Sequence, residues 1–373
     1  MNLQMDRRAL VSGGAALALS GCTTMRPGSA TSIAAATGSP MAGRCLSRVQ
    51  ADPSRIIRTV AGLRPYRPSG FVVRAERLGQ SLLVHNYGHG GAGISLSWGS
   101  SRLATALGLP GHSGPVAVIG SGIMGLTTAR LVQEAGYPVT IYTDALPPGT
   151  TSNIAGGQIY PAGYYDDSAV TAEWRGQAAV AADYSRRRFQ IMVGGDYGIR
   201  WLPTYDQSRR TAPITPDPRF PGRARLARHE HPFPLDNVVR YETMYVETGR
   251  FMERLLRDIR IAGGMVEVRR FSSPAQIAAL PERLVFNCTG LGAAALFGDS
   301  ELVPVRGQLA VLIPQPDIHY AYSLNAGYMF PRADGILLGG TFERGEYLAD
   351  PQPQDIADIV KSHRALMAGW RCA

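Results

Sequence analysis

"PVAVIGSGIMGLTTARLVQEAGYPVTIYTD", residues 115–144, is the stretch that sets the fold. Val116–Ile119 is a short β-branched run that reads as a buried strand. Ile123–Glu134 has the apolar spacing of a helix, which Gly136 ends, and residues 139–142 read as a second strand. Gly120, Gly122 and Gly125 fit G-x-G-x-x-G. The first glycine permits a tight turn, the second lets bare backbone approach a pyrophosphate, and the third lets helix pack on strand. The turn and first helical residues, Ser121, Ile123 and Met124, add the N–H groups and positive dipole end of a helix start. Asp144 stands roughly 20 residues after the last glycine, where an acid accepts from ribose hydroxyls. With strand, helix, second strand and acid all in place, this is a nucleotide-binding β-α-β unit.

The pattern continues downstream. "TTSNIAGGQIYPAG" (150–163) is a hydroxyl- and glycine-rich loop, with Thr150, Thr151, Ser152, Gly156, Gly157 and Gln158 as candidate cofactor contacts. Residues 247–271 give a helix, a glycine stop and a strand that runs to Phe271. "ERLVFNCTGLGA" (282–293) is a last strand entering a turn at Thr289, Gly290 and Gly292. A sheet whose first strands are separated from its last by a long insertion is typical of flavoprotein oxidoreductases. Upstream lies a second glycine loop, "HNYGHGGAGISLSWG" (85–99), followed by a predicted helix over 94–107. His85 and His89 in that loop read equally well as turn residues held by hydrogen bonds or as cofactor neighbours.

The stretches "VAVIGSGIMGLTTA", "TTSNIAGG", "VFNCTG", "PVRGQ", "GYMFPR", "ILLGG", "GLRPYRP" and "HNYGHGGAG" together resemble the D-amino-acid oxidase family of FAD-dependent oxidoreductases, over most of the chain from about residue 55. The resemblance implies an α/β FAD-binding Rossmann-like domain plus an α+β substrate domain with a mixed sheet. It implies FAD along the glycine turns, with Phe271, Thr289 and Gly290 on one part and Gly90, Gly91, Ala92, Gly93, Ile94 and Ser95 beside the isoalloxazine. Carried over by position, Arg64 binds the substrate carboxylate and Tyr328 gives it a second hydrogen bond. Gly91 borders the reacting centre, and Tyr322, with Tyr320 as competitor, takes the place of a lid tyrosine. The implied activity is oxidative deamination of D-amino acids to imino and keto acids. Hydride passes from the α-carbon to flavin N5, and O2 or a respiratory acceptor takes the electrons, O2 giving H2O2. The alternatives are a glycine/sarcosine-type amine oxidase, a respiratory-chain-linked dehydrogenase, and an inactive flavin-binding lipoprotein. "GIRWLPTYDQS" and "HPFPLDNVVR" are candidate walls of the side-chain pocket, with no residue singled out.

The order of motifs is reversed. In the family "GLRP" and "HNYGHGG" close the chain; here they precede the first Rossmann strand, the arrangement of a circular permutation joined through 108–115, with a sequence assembled out of order or a truncated remnant of a tandem copy as the alternatives. The expected layout is a signal (1–21), a flexible tether (22–54), the permuted end of the FAD domain (55–107), the linker (108–115), FAD domain (116–163 and 241–300) and substrate domain (164–240 and 301–373). Arg7-Arg8 before a short apolar run ending in "LSGC" reads as a twin-arginine export signal with a lipobox at Cys22, so membrane attachment would come only through a lipid. The formal charge is +9, yet the basic residues are spread along the chain, which favours small anionic ligands over nucleic acid. No cysteine has metal-ligand spacing, and a Cys45–Cys372 disulfide would suit an oxidising compartment.

Overall fold

The structure, a computed structural model, describes residues 45–208 and 213–371. The expected signal, the expected lipobox at Cys22 and the Cys372 half of the expected disulfide lie outside the described residues. Two sheets organise the rest. One has six strands in the order Val72–Leu78, Ser81–Tyr87, Leu284–Asn287, Val116–Ile119, Val139–Thr143 and Met265–Val268. Its strands run parallel except for the Val72–Leu78 hairpin arm. The Rossmann unit forms as read: helix Ile123–Glu134 follows strand Val116–Ile119, and Gly136 takes φ +89° just after the helix. Parallel strands buried on both faces are near-continuous apolar runs, and Val116, Ala117, Val118, Ile119, Val285 and Phe286 are all buried.

The early glycine-loop segment completes this sheet. Strand Ser81–Tyr87 pairs in parallel with Leu284–Asn287, which pairs on its other side with Val116–Ile119. Helix Gly93–Gly108, close to the 94–107 expected, packs on helix Ile123–Glu134. A buried polar network joins the three elements. Asn86 Nδ2 donates to Ser101 Oγ and Thr128 Oγ1, each at 3.2 Å, and Asn86 Oδ1 accepts from Ser100 Oγ at 2.6 Å. Because every member is buried, removing its centre takes the acceptor from Ser100 and a donor from each of Ser101 and Thr128 at once. Asn86→Ala is expected to cost about 2–4 kcal/mol of unfolding free energy, read from a urea midpoint. An unchanged midpoint would mean that the network does not hold the early segment down.

The second sheet has nine strands. Its order is Ile56–Tyr66, Val303–Leu312, Gly335–Gly339, Gly327–Arg332, Ala321–Leu324, Ile199–Gln207, Val238–Val246 and Ala224–Arg225, with Glu343–Arg344 also on Val303–Leu312. It adjusts three expected boundaries. Strand Ile56–Tyr66, placed with the FAD domain from sequence, is an edge of this sheet, because it is paired from Ile56↔Leu312 to Tyr66↔Val303. Val238–Val246 likewise belongs here throughout, beyond the expected break at 240/241. Residues 45–54, assigned to the tether, dock instead: Val49 and Ala51 are buried, Tyr320 donates to the Ser47 carbonyl at 2.8 Å, and Gln50 N donates to Gln315 at 2.9 Å.

Candidate active site

A cleft of about 990 Å3 runs from the glycine turn of the smaller sheet to the face of the larger one. Its first part is backbone and small hydroxyls. Gly120 holds φ +105°, and a Cβ there would stand 2.5 Å from the Cys288 carbonyl oxygen. A side chain on Gly125 would meet the Gly120 carbonyl at 1.8 Å, so the third motif glycine is what lets the helix start sit on the turn. Gly122, Ile123 and Met124 line the cleft at that helix start, and Ser152 Oγ accepts from Ile123 N at 3.0 Å, tying the 150–163 loop to it. Ser121, Asp144, Thr150, Thr151, Gly156, Gly157, Gln158, Phe271, Thr289 and Gly290 line the same space. Cys288, also on this wall, is buried, and burial pushes its thiol up to about 12, so it carries no reactive thiolate.

The glycines of the early loop form the neighbouring wall. Gly91 N donates to the Gly163 carbonyl at 2.9 Å, and a Cβ on Gly91 would stand 2.9 Å from the Ala162 carbonyl. Gly90, Gly91, Gly93, Ile94 and Ser95 all border the cleft, and Ser95 Oγ donates to the Gln158 carbonyl at 3.0 Å. The histidines play a supporting part. His85 is held between Glu76 Oε1 at 3.0 Å and Asn287 Nδ2 at 2.9 Å. His89 meets Ser100 Oγ at 2.6 Å and stacks on Phe71 with centroids 4.8 Å apart; burial drops its pKa to about 3, so the ring is neutral.

Arg64 and Tyr328 come together on the larger sheet. Arg64 Nη1 donates to the Thr341 carbonyl at 3.3 Å, and the guanidinium lies 5.7 Å from the Phe342 ring centroid. Burial raises the Tyr328 hydroxyl pKa, and the adjacent Arg64 charge and N–H donor partly offset this. Each side chain rests on glycine. A Cβ on Gly307 would fall 2.0 Å from Arg64 Nη2, and one on Gly339 would fall 2.3 Å from Tyr328 Cζ. "PVRGQ" and "ILLGG" contained these glycines, but the need for them is set by neighbours across the sheet.

Three expected site residues stand elsewhere. Tyr322 is fully buried on the opposite face of its strand and meets His363 Nδ1 at 2.7 Å; its competitor Tyr320 is buried there too, bonded to Ser47. Strand alternation explains this, since Ser323, one residue on, is the side chain that reaches the cleft. Ala92 packs into an apolar cluster with Phe71 and Leu96 and does not line the cleft. Gly125 acts through packing on Gly120 and not as a cleft wall. Of the two stretches expected to wall the side-chain pocket, 198–208 reaches the cleft through Asp206, and no residue of 231–240 lines it. Thr341, Phe342, Gly307, Ser323, Tyr160 and Tyr241 also line the cleft, and the sequence singles out none of them. Only the folded sheets bring them together.

The sequence model of the FAD dependent oxidoreductase family matches residues 3–107 and 115–371. The chain belongs to the FAD dependent oxidoreductase family. It is an FAD-dependent oxidoreductase, and the bare glycine turn, the helix start and Asp144 fit that cofactor. Among curated members, the chain is 33% identical over 263 residues to a D-amino-acid oxidase of Streptomyces coelicolor, covering 68% of this chain and 78% of that protein. It is 30% identical to a D-amino-acid oxidase of Rubrobacter xylanophilus (67% and 76% covered) and 26% identical to human D-aspartate oxidase (67% and 75%). Solved structures of the same fold include glycine oxidase from Geobacillus kaustophilus, TM-score 0.52 at 15% identity, covering 70% of this chain and 81% of that one. Iminodiacetate oxidase from Chelativorans sp. gives TM-score 0.52 at 18% identity, with 68% and 79% covered.

Proposed function

We propose that this oxidoreductase oxidatively deaminates D-amino acids, with O2 taking the electrons and yielding H2O2. The observation that carries the reading is the convergence of Arg64 and Tyr328 on the cleft wall next to the Gly90–Ala92 turn. Relatives named D-amino-acid oxidase at 33% and 30% identity support it. Arg64 presents a planar fork to a carboxylate, and Tyr328 adds a hydroxyl donor on the same side. Two fixed donors on one carboxylate leave the α-carbon a single orientation, the main requirement for transferring its hydrogen. FAD, when bound, accepts that hydride. Loss of that hydride and of one N–H proton turns the amino acid into the imino acid, which water hydrolyses to the keto acid and ammonia.

A direct test of the anchor lies in the glycine beneath it. In Gly307→Ala the new methyl must push the guanidinium aside, because the side chain, unlike backbone, can yield. KM for a D-amino acid is expected to rise about tenfold or more while the thermal midpoint stays within a few degrees. A normal KM would detach Arg64 from substrate binding.

We also infer that the chain is a circular rearrangement of the family order. The two matched blocks flank residues 108–114, and strand Ser81–Tyr87 sits beside Leu284–Asn287, late in the chain. Export and lipid attachment at Cys22 are part of the same reading, supported by residues 7–22 alone. The test of function is the visible spectrum of the purified protein under anaerobic conditions. Flavin bands that bleach with D- but not L-amino acids uphold the reading; bleaching only with glycine or sarcosine would replace it.

A further inference from the structure

The wall that carries Tyr328 continues past it. Leu309, Gly339, Tyr328, Ser323 and Asp206 pair residue to residue across five adjacent strands. Residues in one such row share a face, and Leu309, Tyr328, Ser323 and Asp206 all line the cleft. With strands about 5 Å apart, Asp206 lies about 10 Å from Tyr328. An extended arginine or lysine side chain spans that gap, and an alanine or valine side chain does not.

Asp206 is only half satisfied. Its Oδ2 accepts from the Tyr241 hydroxyl at 2.8 Å, while its Oδ1 is buried with no hydrogen-bond partner among the described residues. An unpaired buried carboxylate oxygen is costly, and burial accordingly raises the Asp206 pKa. The exposed Arg223 attracts it from a distance without reaching Oδ1, and Arg219 is engaged by Asp217 at 2.8 Å. Around the carboxylate stand aromatic faces. Tyr160 and Tyr241 line the cleft with centroids 6.0 Å apart, and Phe220 backs them at 5.0 and 5.3 Å. A carboxylate beside π faces is a receptor for an organic cation.

We propose that Asp206, with Tyr160 and Tyr241, selects D-amino acids whose side chains end in a guanidinium or ammonium group. This rests on the D-amino-acid reading above and names the substrate class for it. The substrate's α-carboxylate is held at Arg64 and Tyr328, and its cationic end lies against the Asp206 carboxylate where it borders the cleft.

The experiment compares kcat/KM for D-arginine, its uncharged near-isostere D-citrulline, and D-norleucine. In the wild-type protein D-arginine is expected to exceed D-citrulline by at least about tenfold. In Asp206→Asn the ratio of D-arginine to D-norleucine is expected to fall about 10²-fold. A second readout is binding of 5-guanidinopentanoate, which has no amine to oxidise, followed through the flavin spectrum. Its Kd is expected to weaken in Asp206→Asn, whereas that of hexanoate keeps its wild-type rank against other plain carboxylates. Should Asp206→Asn not fold, Tyr160→Ala, at a partly exposed position, is expected to lower the same ratio. A wild-type preference for D-citrulline or D-norleucine, or an unchanged ratio in both variants, overturns the proposal and leaves the D-amino-acid reading standing. If no D-amino acid reduces the wild-type flavin, that reading falls and this one with it.

Discussion

Replacing Arg64 by alanine is expected to lower kcat/KM for D-amino acids by about 10²–10³-fold, or about 3–4 kcal/mol. The effect is large because Arg64 is the proposed cationic partner of the substrate carboxylate and also the neighbour that offsets the burial of the Tyr328 hydroxyl. Arg64→Lys is expected to recover only part of the loss. A point charge on a flexible stem cannot reproduce the two parallel N–H donors of a guanidinium, and it leaves the Thr341 carbonyl without its present donor. Steady-state kinetics on flavin-loaded protein reads both variants. Wild-type kcat/KM in Arg64→Ala would remove this residue from the site and with it the geometry on which the proposed function stands.

Gly125→Ala is expected to be the most damaging change in the nucleotide half. The added carbon falls 1.8 Å from the Gly120 carbonyl oxygen and 2.7 Å from its carbon, and neither belongs to a side chain that can turn away. Helix and turn must therefore separate, opening the cradle where the cofactor's pyrophosphate is expected to lie. A cost of about 2–4 kcal/mol together with loss of bound flavin is expected, in line with other overpacked sites. The comparison is Gly176→Ala, in helix Ala172–Ile191, where an added Cβ meets nothing within 4 Å. That variant is expected to be neutral or stabilised by up to about 1 kcal/mol. Absorbance of the flavin and a thermal scan separate the two. A Gly125→Ala protein that keeps its flavin would show that the turn can be rebuilt around a methyl group.

The nucleotide half was legible because its signals are local. Strand, turn, helix and acid follow one another within residues 116–144, and each is set by propensity or by a glycine's backbone freedom. The substrate half was legible only where the family resemblance supplied it. Arg64 and Tyr328 were named from motifs, but nothing in sequence shows that Gly307 lies against Arg64, that Thr341 accepts from it, or that Asp206 stands two strands from Tyr328 on the same row. Tyr322 shows how such a reading fails. A position one residue out along a strand turns a side chain to the other face, and here it faces His363 and the apolar core. Residues 45–54 failed differently. The small, polar run of residues 23–44 suggested a tether whose bounds were drawn through them, but Val49 and Ala51 find a hydrophobic seat that only the folded sheet provides.

The pairing of Ser81–Tyr87 with Leu284–Asn287 also has a consequence in time. His85 and Asn287, hydrogen-bonded across that pair, are 202 residues apart in the chain. At ribosomal rates of about 5–20 residues per second, the first strand to be made waits about 10–40 s for the strand it must lie against. Throughout that interval the strand edge that pairs with Leu284–Asn287 has no native partner. In the order inferred for the family, the same segment would be made last and would meet a sheet already waiting. A chain rearranged as proposed would reach those contacts by a route that is slower and more exposed to aggregation, and would depend more on chaperones during synthesis than on stability afterwards.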